Sequence, residues 1–103
     1  MTQREAYQQK LQAKLSGWRA EIEKLRARAA EAQADAQIEY HHDLETLSRQ
    51  QKQVEEKLAA LKEAGDESWE AARASVDNVA NALTQEFERF KAKLQQARQK
   101  VTG

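Results

Sequence analysis

Two adjacent histidines flanked by carboxylates are the residues of this sequence best suited to chemistry. The segment reads Glu39-Tyr40-His41-His42-Asp43. Its Glu-x-x-His spacing, Glu39 followed by His42, is the one that ferritin-like carboxylate bundles use to hold a pair of irons. Such a site also needs carboxylates from other helices, which the sequence does not supply. Glu39 and His42 are therefore candidate ligands without partners, and we expect no metal and no cofactor.

The sequence offers no arrangement for nucleophilic catalysis. The chain has no cysteine, and its only two histidines, His41 and His42, are adjacent. A nucleophile, a base and an orienting group have to converge in a cleft, which such a pair on one helix does not provide. We expect His41 and His42 to lie in solvent beside a buried Tyr40. The sequence thus predicts no catalytic residues and a protein that is not an enzyme.

Four carboxylates follow one another at every fourth residue. Like charges at this spacing repel on a helix unless a positive group lies beside them. One interpretation is an acidic docking strip for a basic helix, such as the N-terminal arm of a second copy. The other is an acidic face in contact with solvent. The residues are Glu31, Asp35, Glu39 and Asp43.

The composition indicates that these residues lie on helices. The 103 residues include no proline and three glycines, and 33% of them are charged, with a mean hydropathy of -0.97. Residues that favour helices, such as alanine, glutamine, glutamate, lysine and leucine, dominate the rest. Because no segment has the roughly 18 apolar residues that a membrane span requires, we expect a soluble, cytoplasmic, all-α protein with a thin core.

Apolar residues recur every three or four positions along the first 60 residues, which is the heptad pattern of a coiled coil. The pattern shifts by one residue around positions 36–40, a change that alters supercoiling without ending a helix. It therefore predicts one long helix over about residues 3–63. The first part contains Leu11, Leu15, Trp18, Ile22 and Leu25, and the second contains Tyr40, Leu44, Leu47, Val54, Leu58 and Leu61.

Gly65 predicts the end of this helix, with a turn at 64–67, and Asp66 or Ser68 then suits the N-cap of the next one. A second helix over about 68–100 has its own heptad seam. A short turn makes the two helices antiparallel, so that Tyr40 faces Phe90. The sequence predicts a single domain, 1–103, built as a helical hairpin. The seam of the second helix contains Trp69, Val76, Leu83, Phe87, Phe90 and Leu94.

The two predicted helices differ in length, at about 90 Å and about 50 Å with a rise of 1.5 Å per residue. The N-terminal arm would therefore have no partner within the chain. An exposed apolar stripe of this size is typical of an interaction surface, and we expect a homodimer, a higher homo-oligomer or a helical protein partner to cover it. The predicted interface residues are Leu11, Leu15, Trp18, Ile22 and Leu25.

Charge is segregated along the chain although the total is zero. Residues 1–30 carry seven Lys/Arg and three acidic residues. Residues 31–72 carry four Lys/Arg and eleven acidic residues, and residues 73–103 carry six Lys/Arg and three acidic residues. An antiparallel dimer would place the basic arm of one copy beside the acidic middle of the other. The acidic middle argues against nucleic-acid binding. A membrane surface is a less favoured partner, because the narrow apolar stripe suits a coiled coil better than a surface helix.

The opening MTQREAYQQKLQAKL, the following SGWRAEIEKLRARA and the later GDESWEAARASVDNVANAL resemble a group of small bacterial coiled-coil proteins described as stress-response or apolipoprotein-like. The similarity extends over nearly the whole chain. The resemblance implies a stress-associated helical protein that is not an enzyme, and it supplies no catalytic residues.

Two functions are consistent with these patterns. The first is a structural or interaction protein that acts by homo-oligomerisation or by docking a helical partner. The second is a conditionally folded protectant, similar to late-embryogenesis or apolipoprotein-like proteins, which orders on membranes or on drying, as a highly charged chain with a small core permits.

Overall fold

The computed structural model of the protein describes the backbone of residues 2–102 and the side chains of residues 2–96. The described backbone forms three helices: α1 (Gln3–Ala29), α2 (Ala34–Glu63) and α3 (Trp69–Thr102). No strand occurs in the described backbone. The prediction of an all-α protein is confirmed.

The predicted single helix over residues 3–63 is wrong. The chain bends at residues 30–33, and α1 turns back along α2. The bend contains only alanine, glutamate and glutamine, which are good helix formers, so local preference does not cause it. Packing of the apolar stripe of α1 against the other helices overrides that preference, since tertiary contacts outweigh the small differences in helix propensity.

Local capping fixes the start of α1. The side-chain oxygen of Thr2 accepts a hydrogen bond of 3.1 Å from the backbone N–H of Glu5, and Glu5 adds a negative charge in the first turn. Arg26 and Arg28 place positive charge in the last turn. Both charges complement the helix dipole. Capping and charge therefore stabilise both ends of α1, a helix of 27 residues.

The connection between α2 and α3 is one residue longer than the predicted turn at 64–67. Residues 64–68 separate the helices, and the backbone N–H of Ser68 donates to the carbonyl oxygen of Gly65 at 3.1 Å. Gly65 has no positive φ, so it does not form the left-handed helix cap that its position suggested. The turn is closed instead by this tight hydrogen bond and by contacts from α1.

The helices run up, down and up in a bundle with extents of 55 × 22 × 17 Å. Arg4 at the start of α1 binds Asp66 in the connection between α2 and α3. Tyr40 and Phe90, which the fold-back about Gly65 places opposite each other, pack edge to face with ring centroids 5.7 Å apart. α1 is thus antiparallel to α2 and parallel to α3.

All three helices share one apolar core. No polar or charged side chain is buried among residues 2–96, so burial of apolar surface alone holds the interior together. The core residues are Leu11, Leu15, Ile22, Leu25, Ala29, Tyr40, Leu44, Leu47, Val54, Leu58, Leu61, Val76, Ala80, Leu83, Phe87, Phe90 and Leu94.

Replacement of Leu25 by alanine tests whether α1 is part of this core. Leu25 is 1% exposed, and emptying such a site lowers the free energy of unfolding by about 2–5 kcal/mol. Urea denaturation followed by circular dichroism measures the loss. Ile38→Ala is the control, because Ile38 is 75% exposed and its truncation changes stability by about 0.5 kcal/mol or less. Equal effects of the two substitutions would contradict the packing of α1.

Candidate interaction surface

The predicted interface on the N-terminal arm is covered by the chain itself. Four of its residues are in the core, and Trp18 is half-buried, close to Phe87 of α3. The residues cannot form an exposed stripe, because α1 folds back where the sequence predicted a continuous helix. The four buried residues are Leu11, Leu15, Ile22 and Leu25.

The predicted hairpin seam lies on the inner faces of α2 and α3. Trp69 is half-buried at the start of α3, and the other seam residues are buried. They contact α1 as well as each other, so that the seam belongs to a three-helix core. The buried seam residues are Tyr40, Leu44, Leu47, Val54, Leu58, Leu61, Val76, Leu83, Phe87, Phe90 and Leu94.

The predicted acidic docking strip is divided by the bend. Glu31 lies in the connection and Asp35 is exposed in the first turn of α2. Glu39 and Asp43 instead bind Lys93 of α3, at 2.6 and 2.9 Å. Hydrogen bonds to Glu39 and then to Asp43 raise the pKa of Lys93. The positive group beside this part of the strip therefore comes from the same chain.

Neither histidine joins a metal site. His41 and His42 are both exposed, and His41 contacts Glu45 at 3.0 Å. Glu39, the other candidate ligand, is occupied by Lys93. No group of three or more His, Asp or Glu side chains is placed to hold a metal in the part of the chain that the structure describes. The Glu39–His42 spacing therefore remains an isolated pair on the surface of α2.

A cluster that the sequence patterns did not reveal joins the start of α1 to α3. The Tyr7 hydroxyl donates to Asp77 Oδ1 at 2.5 Å, and the Tyr7 ring packs edge to face on Trp69 at 6.1 Å. Arg4 and Arg73 place their guanidinium groups 5.6 and 5.8 Å from the centroid of the Trp69 ring. Such cation–π contacts stabilise the packing of the start of α1 against α3.

Hydrogen bonds complete this N-terminal cluster. Arg4 donates to the carbonyl oxygen of Ala64 at 2.7 Å and to Asp66 at 2.9 Å. Burial and the hydrogen bond to Asp77 raise the pKa of Tyr7. Tyr7 lies one helical turn before Leu11 on the apolar stripe of α1, which is the signal that could have identified it. Its partners follow only from the fold-back of α1.

An exposed apolar groove lies on the opposite end of the bundle, where α1 ends and α2 begins. Its volume is about 590 Å³. Ile38 lines it and is 75% exposed, the one large hydrophobic side chain exposed to this degree among residues 2–96. We call this feature the Ile38 groove. It is lined by Arg26, Ala29, Ala30, Ala34, Gln37, Ile38, His41 and Leu44.

The bend at residues 30–33 shapes the Ile38 groove. The side chain of Gln37 donates to the carbonyl oxygens of Ala30 and Ala32, at 2.9 and 2.7 Å. These bonds satisfy carbonyl groups that the end of α1 leaves without helical partners. Gln33 begins α2 without a side-chain cap. Gln37 is thus the side chain that holds the two walls of the groove together.

An ion pair crosses the same α1–α2 face nearer the other end of the bundle. Arg19 Nε donates to Glu55 Oε1 at 3.1 Å, and Nη2 of the same arginine also binds that oxygen. The hydrogen bond from Arg19 lowers the pKa of Glu55 against the opposing effect of burial. This contact joins basic α1 to acidic α2 within one chain.

The Arg19–Glu55 contact predicts a pH dependence of stability. Because the pKa of Glu55 is lower in the folded chain than its ordinary 4.5, the stabilisation is present above that value and is lost as the pH falls through the folded value. Glu55→Gln should therefore reduce the free energy of unfolding by about 1 kcal/mol or less at pH 7, and the difference from the parent should shrink below pH 4.5. Urea denaturation between pH 3 and 7 measures it.

Glu56→Gln is the control for that experiment, since Glu56 is exposed and forms no ion pair with any residue whose side chain is described. It removes one carboxylate without breaking the contact with Arg19. The prediction would be contradicted if the free energies of unfolding of the parent and of Glu55→Gln differed by the same amount from pH 7 to pH 3.

Comparisons with known proteins found no matching family model, no curated relative and no matching solved structure. None of the helices, over the residues described, is long and apolar enough to cross a membrane.

Proposed function

We propose that this protein is a non-enzymatic binding protein that docks an amphipathic helix of another protein in the Ile38 groove. The observation that carries the proposal is the 75% exposure of Ile38, since every other leucine and isoleucine among residues 2–96 is buried. Covering an exposed isoleucine contributes roughly 1.5–3 kcal/mol. An apolar anchor of this kind is a common centre of a helix-in-groove interface.

The shape of the groove suits a helix. Ala29, Ala30 and Ala34 line it, and their small side chains permit another backbone to approach closely. Packed helices lie 8–10 Å apart, depending on the side chains between them. A helix laid along α1 and α2 would extend the three-helix bundle to four helices, an arrangement in which each helix buries its apolar stripe.

The rim of the groove indicates the charge of the partner. Arg26 Nε lies 3.8 Å from Glu23, a loose contact that leaves the guanidinium group able to bind a second carboxylate. Arginine binds carboxylates through two parallel N–H donors. The partner helix is therefore expected to carry a leucine or isoleucine opposite Ile38 and an acidic residue about one turn away, opposite Arg26.

The buried core supports a binding protein over a conditionally folded protectant. A protectant of that kind lacks enough apolar burial to fold by itself. Here each helix contributes buried side chains to one interior, including Leu25, Leu47 and Leu83. Homo-oligomerisation is a separate proposal, since the stripe that would have required it is covered within the chain.

Photo-cross-linking at position 38 tests the docking site. Benzoylphenylalanine in place of Ile38 should cross-link, in an extract of cells that make the protein, to an amphipathic helical segment of another protein, identified by mass spectrometry. The same residue in place of Gln53, which is exposed on α2, is the control. Cross-links to other proteins that are equal at both positions would contradict the proposal.

Affinity measurements on the identified partner give the energetic test. Ile38→Asp should weaken binding by at least about tenfold, since loss of an isoleucine anchor corresponds to 1.4 kcal/mol or more. Gln53→Asp changes the same charge away from the groove and should leave affinity within about twofold. Isothermal titration calorimetry measures both, and equal effects would place binding elsewhere.

Circular dichroism over a dilution series separates the binding protein from the protectant. A chain with its own core should keep the same helicity from millimolar to micromolar concentration, and anionic vesicles should not raise it. Low helicity on dilution that increases sharply with vesicles would favour the protectant. Neutral vesicles are the control for a nonspecific effect of lipid.

A further inference from the structure

The bend between α1 and α2 is made of residues that do not favour a bend. Residues 30–33 are alanine, glutamate, alanine and glutamine, with no glycine or proline. Ala30 still has helical angles, φ -65° and ψ -20°, and the extended angles of Gln33 are accompanied by no side-chain cap. Natural turns use glycine, proline or capping side chains to enforce a change of direction. This segment contains no glycine or proline, and the side chain that bonds to its carbonyl groups is Gln37 of α2.

We propose that α1 exchanges between two copies of the chain, because the bend can straighten into helix and let each α1 pack on the partner's α2 and α3. Residues 3–63 would then form one helix in each copy. Exchange of an identical element is a low-cost route to a dimer, since the contacts are those of the monomer. The docking of another protein in the Ile38 groove is a separate proposal.

The contacts of α1 do not require α2 and α3 to come from the same chain. Its polar contacts include those of Arg4 with the connection after α2, Arg19 with Glu55, and Glu21 with Lys91 at 3.0 Å. In each contact a side chain of α1 binds a side chain or a backbone carbonyl group. The two partners are at least 36 residues apart in the sequence. The four-residue connection alone decides whether a given α1 belongs to the same copy.

In the straightened helix, the apolar stripes of α1 and α2 would lie on nearly the same side. Ile22 and Leu44 are both buried and are 22 residues apart, which at 100° per residue leaves them about 40° from alignment. The stripe of α1 would continue on nearly the same side of the helix as that of α2. An antiparallel partner could therefore cover both parts.

Charge favours the antiparallel arrangement. α1 carries seven Lys/Arg and three acids, and α2 carries four Lys/Arg and seven acids. An exchanged dimer with twofold symmetry keeps each basic α1 beside an acidic α2, as in the monomer. A parallel arrangement would place the two basic segments together. The alanines of residues 29–34 also let the two straightened helices pass closely where they cross.

Gln37 opposes the exchange, because its two hydrogen bonds to Ala30 and Ala32 exist only while the chain is bent. Gln37→Ala should therefore increase the dimerisation constant by about tenfold or more. Gln53→Ala is the matched control, an exposed glutamine of α2 far from the bend. Sedimentation equilibrium measures the constants, and equal constants for the two variants would contradict the role of the bend.

Gln33→Pro should have the opposite effect. Gln33 has φ -65° and ψ 157° in the bent chain, and proline adopts this φ but interrupts a continuous helix. The variant should remain monomeric at millimolar concentration with the helicity of the parent. A dimerisation constant equal to that of the parent would overturn the proposal, since no straight helix over residues 3–63 could form in this variant.

Cross-linking identifies which copy supplies α1. The chain has no cysteine, so Arg19→Cys with Glu55→Cys introduces a unique pair across the α1–α2 face. After separation by gel filtration, monomer and dimer fractions are diluted and treated with a flexible bismaleimide. Denaturing electrophoresis should show covalent dimers from the dimer fraction and internally linked monomers from the monomer fraction. Internal links alone in the dimer fraction, or no dimer at millimolar concentration, would overturn the exchange.

Discussion

Burial of the apolar stripe of α1 against α2 and α3 is the interaction on which the rest of this structure depends. Leu25 and Ile22 fill a space that a two-helix hairpin would leave open to water. Four large side chains on α1, each contributing roughly 1.5–3 kcal/mol when buried, outweigh the loss of helical hydrogen bonds over four residues. The bend, the N-terminal cluster and the Ile38 groove all follow from this packing.

Composition and heptad spacing were sufficient to predict an all-α protein and its apolar stripes. They predicted the α1 stripe as an exposed interface, whereas its leucines and isoleucine are buried in the core. They were insufficient to predict the bend, because helix propensity at residues 30–33 is uniform and no glycine or proline breaks the pattern. The shift of the heptad by one residue lies close by, at positions 36–40. The shift on its own indicates a change of supercoiling, whereas in the structure the chain reverses direction nearby.

The candidate site could be predicted only in part for the same reason. The spacing of the acidic residues is consistent with either a docking strip for a basic helix or a solvated face, and Glu39 and Asp43 bind Lys93 of the same chain. The partner follows from the order of the helices, which residue spacing does not contain. Ile38 lies outside the heptad seam, so its significance depends on knowing which face of α2 the other helices leave uncovered. Tyr7 and Arg73 likewise gain their roles only in three dimensions.

The absence of buried polar side chains among residues 2–96 has a consequence for how such a sequence can evolve. A buried hydrogen-bonded pair has to be changed in concert, and it ties the identity of one residue to that of another. An interior of leucine, valine and phenylalanine accepts many substitutions that keep volume and pattern. Descendants of this chain could therefore retain the spacing of their apolar residues long after the identities at most positions had drifted apart.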